Sequence, residues 1–137
     1  MDKVLLVNNK IEELTKVARF MEELGEEWGL PVPLVFSLNL VMEEALTNTI
    51  SYGFDNNGSH TIEININKTG PLLTIIITDD GREYDPTQKK DPDISLPAEE
   101  RPIGGLGIFL IKKIMDSVRY KRTDNRNNLI LTKNIES

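Results

Sequence analysis

Three short stretches carry side chains whose types and spacing can do chemistry: Glu43-Glu44-Ala45-Leu46-Thr47-Asn48, Asp79-Asp80-Gly81-Arg82-Glu83-Tyr84-Asp85-Pro86, and Gly104-Gly105-Leu106-Gly107. In the first, a carboxylate and an amide, Glu44 and Asn48, stand four residues apart on a predicted helix. At ~100° of rotation per residue, Leu34, Leu38, Val41, Met42 and Ala45 share one sector, the stripe that must be buried. Asn48 falls within ~20° of Val41, and Glu44 lies ~60° away on that flank. A carboxylate at the edge of a buried face is costly unless something meets it. A magnesium ion, a water or a substrate hydroxyl would do so.

The second stretch ends a predicted strand with an acidic pair. A buried strand-end carboxylate such as Asp79 is a good acceptor for an exocyclic amino group like that of adenine, and Gly81 would let a purine ring approach the backbone closely. The glycines of the third stretch open a predicted helix, whose free N–H groups bind phosphate well. No Gly-x-x-x-x-Gly-Lys-Ser/Thr is present, so this is not a P-loop. Taken singly, each stretch also fits a structural role. Glu44 could pair with a core-edge lysine and Asn48 cap a loop, the aspartates could serve a turn, and the glycines could be a hinge. Taken together they read as a nucleotide pocket.

Composition narrows the chemistry. With 137 residues the chain fits a single domain, 1–137, with a core of its own. It has no cysteine and one histidine, His60, which removes disulfides, thiolate metal sites and multi-imidazole centres. A net charge of -6 argues against binding nucleic acid or an anionic membrane. No secretory signal and no run of ~18 apolar residues is evident, so a cytoplasmic protein is expected.

The elements that must position these residues follow from periodicity. Val4-Leu5-Leu6-Val7 reads as a strand, with Asn8-Asn9 able to cap the helix after it. Ile11 to Trp28 is amphipathic at helical spacing, and Gly29 with Pro31 and Pro33 separates it from a second helix ending at Tyr52-Gly53. Ile62, Ile64 and Ile66 alternate with polar residues, and Thr69-Gly70-Pro71 turns the chain into Leu72 to Thr78. That second strand is apolar at nearly every position, as a strand covered on both faces would be. Residues 82–103 hold four of the seven prolines and many charges, which predicts a mobile loop. Leu106 to Met115 is helical, and Ser117–Arg122 and Asn128–Lys133 make a last strand pair around the turn at 123–127.

In order, spacing and type, the three stretches resemble the GHKL or Bergerat ATPase superfamily over nearly the whole chain. The small size, with Asp-Asp-Gly-Arg-Glu-Tyr-Asp-Pro followed by Gly-Gly-Leu-Gly-Ile-Phe-Leu-Ile-Lys-Lys-Ile-Met-Asp, is similar to the bacterial anti-sigma factor serine/threonine kinases. The resemblance implies an α+β two-layer sandwich, a mixed and mainly antiparallel sheet with helices on one face. It implies ATP and Mg2+ as cofactors, with Glu44 as general base, Asn48 as magnesium ligand, Asp79 as acceptor for the adenine amino group and Gly81 as the floor under the ring. Gly105, Leu106 and Gly107 would cradle the phosphates beneath an ATP lid at residues 86–103, with Arg101 a phosphate or partner contact. The partners implied are an anti-anti-sigma STAS-domain protein, phosphorylated on serine or threonine, and a sigma factor sequestered otherwise; a homodimer is implied as well.

Two positions depart from the family pattern. Glu83 stands where the wider superfamily often has a second glycine, and Asn127-Asn128 stand where relatives often have Gly-Thr near the adenine; Asn128 keeps hydrogen-bonding capacity there. Other readings fit less well. A histidine-kinase catalytic domain would need a phosphoacceptor hairpin, while His60 sits in a polar turn, and a topoisomerase or chaperone ATPase would need a transducer domain. A non-catalytic ATP-binding module that engages a protein partner is the alternative.

Overall fold

The computed structural model describes residues 1–54, 58–88 and 105–135. Five strands, β1 (Asp2–Asn8), β2 (Thr61–Thr69), β3 (Leu72–Asp79), β4 (Ser117–Thr123) and β5 (Arg126–Asn134), form one sheet in the order β1-β2-β3-β5-β4. Among the described residues the sheet is accompanied by three α-helices, α1 (Leu14–Trp28), α2 (Val32–Tyr52) and α3 (Gly105–Ile114). The mainly antiparallel sheet expected from sequence is antiparallel at all four pairings.

Strand alternation assigns the faces. Ile62, Ile64 and Ile66 of β2, Leu73, Ile75 and Ile77 of β3, and Leu129 and Leu131 of β5 are buried on one side, in a single core with Val17, Met21, Leu24, Leu38, Met42, Leu46, Ile108 and Ile111 of the helices. Of the α2 stripe, Leu38, Val41, Met42 and Ala45 are buried where the helical count put them, and Leu34 is half-buried. β3 is central in the sheet but covered on one face only. Thr74, Ile76 and Thr78 on its other side are half-buried, because the three helices pack on the same face of the sheet.

Helix boundaries follow local chemistry. Gly29 ends α1 in the left-handed region at φ 66°, where a glycine carries no Cβ penalty. Pro33 lies in the first turn of α2, where its missing N–H costs nothing. α1 and α2 approach closely at Gly25, where a Cβ would stand 2.5 Å from Val35 Cγ2. Asn8-Asn9 does not cap α1. A short 3-10 turn, Ile11–Glu13, precedes that helix without a side-chain cap, and Asn9 instead accepts the His60 N–H at 2.8 Å and donates to the Gly58 carbonyl at 3.2 Å. It ties the end of β1 to the start of β2, two segments that pair across the sheet.

The β4–β5 hairpin is tighter than its sequence suggests. Asp124 and Asn125 both have positive φ, 53° and 60°, as a two-residue type I′ turn demands. β5 therefore begins at Arg126, and Asn127 lies inside the strand, opposite Asp79 of β3 and Arg122 of β4. Of the loop expected at 82–103, Pro86–Gln88 forms a single 3-10 turn with Pro86 buried. Residues 89–103, Arg101 among them, lie outside the described residues, as does Gly104. Among the described residues no helix is long and apolar enough to cross a membrane.

Candidate functional site

The sheet and two helices enclose a cavity lined by residues of the first two chemistry-bearing stretches and by α3 just beyond the third. α2 supplies Ala45, Asn48 and Thr49, α3 supplies Ile108 and Ile111, and β3 and β5 supply Ile77, Asp79, Asn127 and Leu129, with Tyr84 and Pro86 from the segment after β3. Its lining is largely apolar; beside the hydroxyls of Thr49, Tyr84 and Tyr120, its polar side chains are Asn48, Asp79 and Asn127, which are respectively 6%, 6% and 5% exposed. An apolar slot with a few convergent polar groups is the usual form of a small-ligand site. The void is about 430 Å³ counted out to its open mouth, yet its closed centre holds little more than a single water requires.

Glu44 and Asn48 stand one turn apart on α2 and face the first turn of α3. A Cβ on Gly107 would lie 2.7 Å from Glu44 Oε2 and 3.6 Å from Asn48 Nδ2. Only a glycine leaves that gap, and it brings the first described turn of α3, Gly105, Leu106 and Gly107, beside the carboxylate and the amide. Glu44 is half-buried. No lysine or arginine pairs with it among the described residues, so the purely structural account of this carboxylate has no partner there.

Asp79 closes β3 inside the cavity. Its Oδ1 accepts the Gly81 N–H at 2.8 Å and Asn127 Nδ2 at 3.0 Å. Burial pushes its carboxyl above the ordinary value near 3.8; the hydrogen bonds from Asn127 and Gly81 oppose the rise, Asp80 adds to it and Arg122 opposes it. Asp80 points away to the other side, where it meets His60 Nδ1 at 3.1 Å. His60 also stacks on Phe54, ring centroids 4.6 Å apart, so it is held in place rather than simply solvated.

Gly81 is held to a glycine by a neighbour that its sequence context does not reveal. A Cβ there would stand 2.1 Å from the Gly53 carbonyl oxygen. The close approach is thus made by the C-terminal end of α2, which the loop grips through Arg82 N to Gly53 O and Arg82 Nε to Tyr52 O, both 2.8 Å. Tyr52 and Tyr84 stack at 5.8 Å over the same junction.

Asn128 is not at the cavity. With β5 starting at Arg126, odd-numbered residues face the helices, and Asn128 lies on the opposite face, accepting from Thr78 Oγ1 at 2.9 Å and donating to the Lys121 carbonyl at 3.2 Å. Asn127 takes the inward place. The signal was present in the alternation, since Asn127 shares parity with Leu129 and Leu131. Tyr120 and Arg122 of β4, also unselected from sequence, reach the same amide.

Chains of known function resemble this one over most of their length. Serine/threonine-protein kinase BtrW of Bordetella bronchiseptica is 33% identical over 109 residues, 80% of this chain and 75% of its own. Serine-protein kinase RsbW of Listeria monocytogenes is 28% identical over 125 residues, 86% and 78% of the two chains. Among solved structures, the histidine kinase domain of the Erythrobacter litoralis EL346 blue-light activated histidine kinase matches with a TM-score of 0.55 at 14% identity, over 91% of this chain. The chain spans 60% of that one, and the likeness is of fold. The histidine kinase-like ATPase domain matches residues 7–133. An antiparallel sheet backed on one face by helices is here the Bergerat arrangement, and the chain belongs to the histidine kinase-like ATPase domain family.

Proposed function

We propose that this protein is an ATP-dependent serine/threonine kinase that phosphorylates an anti-anti-sigma STAS-domain protein and, when not so engaged, sequesters a sigma factor in the cytoplasm. The observation that carries the reading is the convergence of Glu44 and Asn48 on Gly107 in the first turn of α3, with Asn48 also lining the cavity that holds Asp79. The relatives named as serine/threonine and serine kinases support the activity.

The residues present fit Mg-ATP. Asp79 offers an acceptor to the adenine amino group between the apolar walls of Ile77, Ile108 and Leu129. The first turn of α3 offers N–H groups to phosphate oxygens. Asn48 would hold magnesium; no cluster of three or more acidic, histidine or cysteine side chains lies together among the described residues, so the ion would take its other oxygens from phosphates and water, as magnesium commonly does. ATP supplies the transferable phosphoryl group, and magnesium offsets charge on it. Glu44 would accept the proton of the serine or threonine hydroxyl as that oxygen bonds to the γ-phosphorus and ADP leaves, while the α3 amides would stabilise negative charge on the transferring group.

Incubation with labelled ATP, Mg2+ and a cognate STAS protein tests the activity. The expected result is label on a serine or threonine of the partner, and partner affinities that differ between the ATP and ADP forms. Nucleotide binding without transfer to any cognate partner would leave the second reading, a non-catalytic ATP-binding module that engages a protein.

A further inference from the structure

The side chain of Asn127 is the most heavily engaged polar group of the cavity. Its Nδ2 donates to the Arg82 carbonyl at 2.7 Å and to Asp79 Oδ1 at 3.0 Å, with the Gly81 carbonyl at 3.5 Å. Its Oδ1 accepts from Arg122 Nη1 at 3.1 Å, from the Tyr84 N–H at 3.3 Å and from the Tyr120 hydroxyl. Arg122 Nη1 also donates to the Gly81 carbonyl at 2.8 Å. One buried amide therefore joins the last residue of β3 to the backbone of residues 81–84, the stretch that leads to the cavity lining at Tyr84 and Pro86.

The consequence for Asp79 is geometric. Its Oδ1 is occupied twice, by Gly81 N–H and by Asn127, which fixes the plane of the carboxylate; Oδ2 has no hydrogen bond among the described residues. A cavity-lining carboxylate with one oxygen locked and the other without a partner among the described residues is preorganised for one donor. An amide at 127 suits this because it can donate toward Asp79 and the Arg82 carbonyl while accepting from Arg122 and Tyr120, whereas an ionised carboxylate could donate to neither.

We propose that Asn127 is the positioning residue of the purine pocket, orienting Asp79 so that its free oxygen receives the 6-amino group and pinning residues 81–84 around it. The inference rests on the adenine reading of Asp79 given above. It concerns a residue that acts through another, so it predicts a loss tied to one atom group of the ligand.

The test is a pair of titrations, by calorimetry, with ATP and with purine riboside triphosphate, which lacks the 6-amino group. The native protein should bind ATP roughly tenfold or more tightly than the analogue, the scale of one hydrogen bond to a charged acceptor. In Asn127→Ala the affinity for ATP should fall by about that factor, with the analogue little changed, so the preference collapses. Asn127→Thr, which keeps a hydroxyl donor, should recover part of the preference and serves as the readout should the alanine variant not fold. Equal losses for both ligands would reduce Asn127 to a structural residue and overturn the inference, as would an unchanged preference. A native protein that does not distinguish the two ligands would instead overturn the adenine reading of Asp79, and the inference with it.

Discussion

Gly107 and Glu44 are so close that any side chain on the glycine would displace the carboxylate: a Cβ would lie 2.7 Å from Glu44 Oε2. The atom met is the far end of a flexible side chain, so the fold can absorb the substitution while the site cannot. Gly107→Ala should therefore keep its melting temperature within a few degrees yet lose on the order of 10²-fold in phosphoryl transfer, the scale of displacing a reacting group by about 1 Å. Steady-state kinetics beside a thermal melt separate the two effects; a fully active variant would show that Glu44 need not occupy this position.

Glu44→Gln keeps the shape and removes the base. ATP affinity should persist while transfer to the partner drops by roughly 10²-fold or more. Normal phosphorylation by this variant would transfer the base role to another group.

Asp79→Asn should move binding and stability in opposite directions. The amide can still accept from Gly81 and Asn127 but presents a donor to the adenine amino group, weakening ATP and ADP alike by about 1–3 kcal/mol. Burial raises the Asp79 carboxyl above 3.8, so the folded state holds its proton more tightly than the unfolded chain. The sign follows: Asp79 favours folding most at low pH, and that contribution is lost as pH rises through the raised value. Urea denaturation should show Asp79→Asn gaining stability relative to the native protein between about pH 4 and neutrality. A relative loss over that range would contradict the burial argument.

Gly81→Ala should fail for a backbone reason. The added methyl meets the Gly53 carbonyl at 2.1 Å, a rigid neighbour, so α2 and the loop must part. A cost of roughly 1–3 kcal/mol in chemical denaturation is expected, with nucleotide affinity reduced through the shifted loop. Stability equal to that of the native protein would mean this junction yields easily.

Much of the architecture was legible because local patterns and the fold agree. The three-and-four spacing in α1 and α2 and the Ile62-Ile64-Ile66 alternation each name a buried face without reference to the rest of the chain, and Gly29 and Pro33 mark helix ends through backbone constraints that are local as well. The order of Glu44, Asn48, Asp79 and the glycine turn identified the family for the same reason, since each chemical role needs a particular residue type on a particular kind of element.

Other features depended on distance in space. Nothing local to Gly81 says that the end of α2 lies against it, nor does the Asn8-Asn9 pair reveal that Asn9 would bind the His60 backbone rather than a helix end. The choice between Asn127 and Asn128 turned on where β5 begins, which the positive-φ turn at Asp124-Asn125 sets and pairing with β3 and β4 enforces. A one-residue change of register exchanges the faces of a strand. The sequence by itself determined which side chains could take part and the elements that carry them; the tertiary structure decided which one meets Asp79, because that contact exists only once three strands are in register.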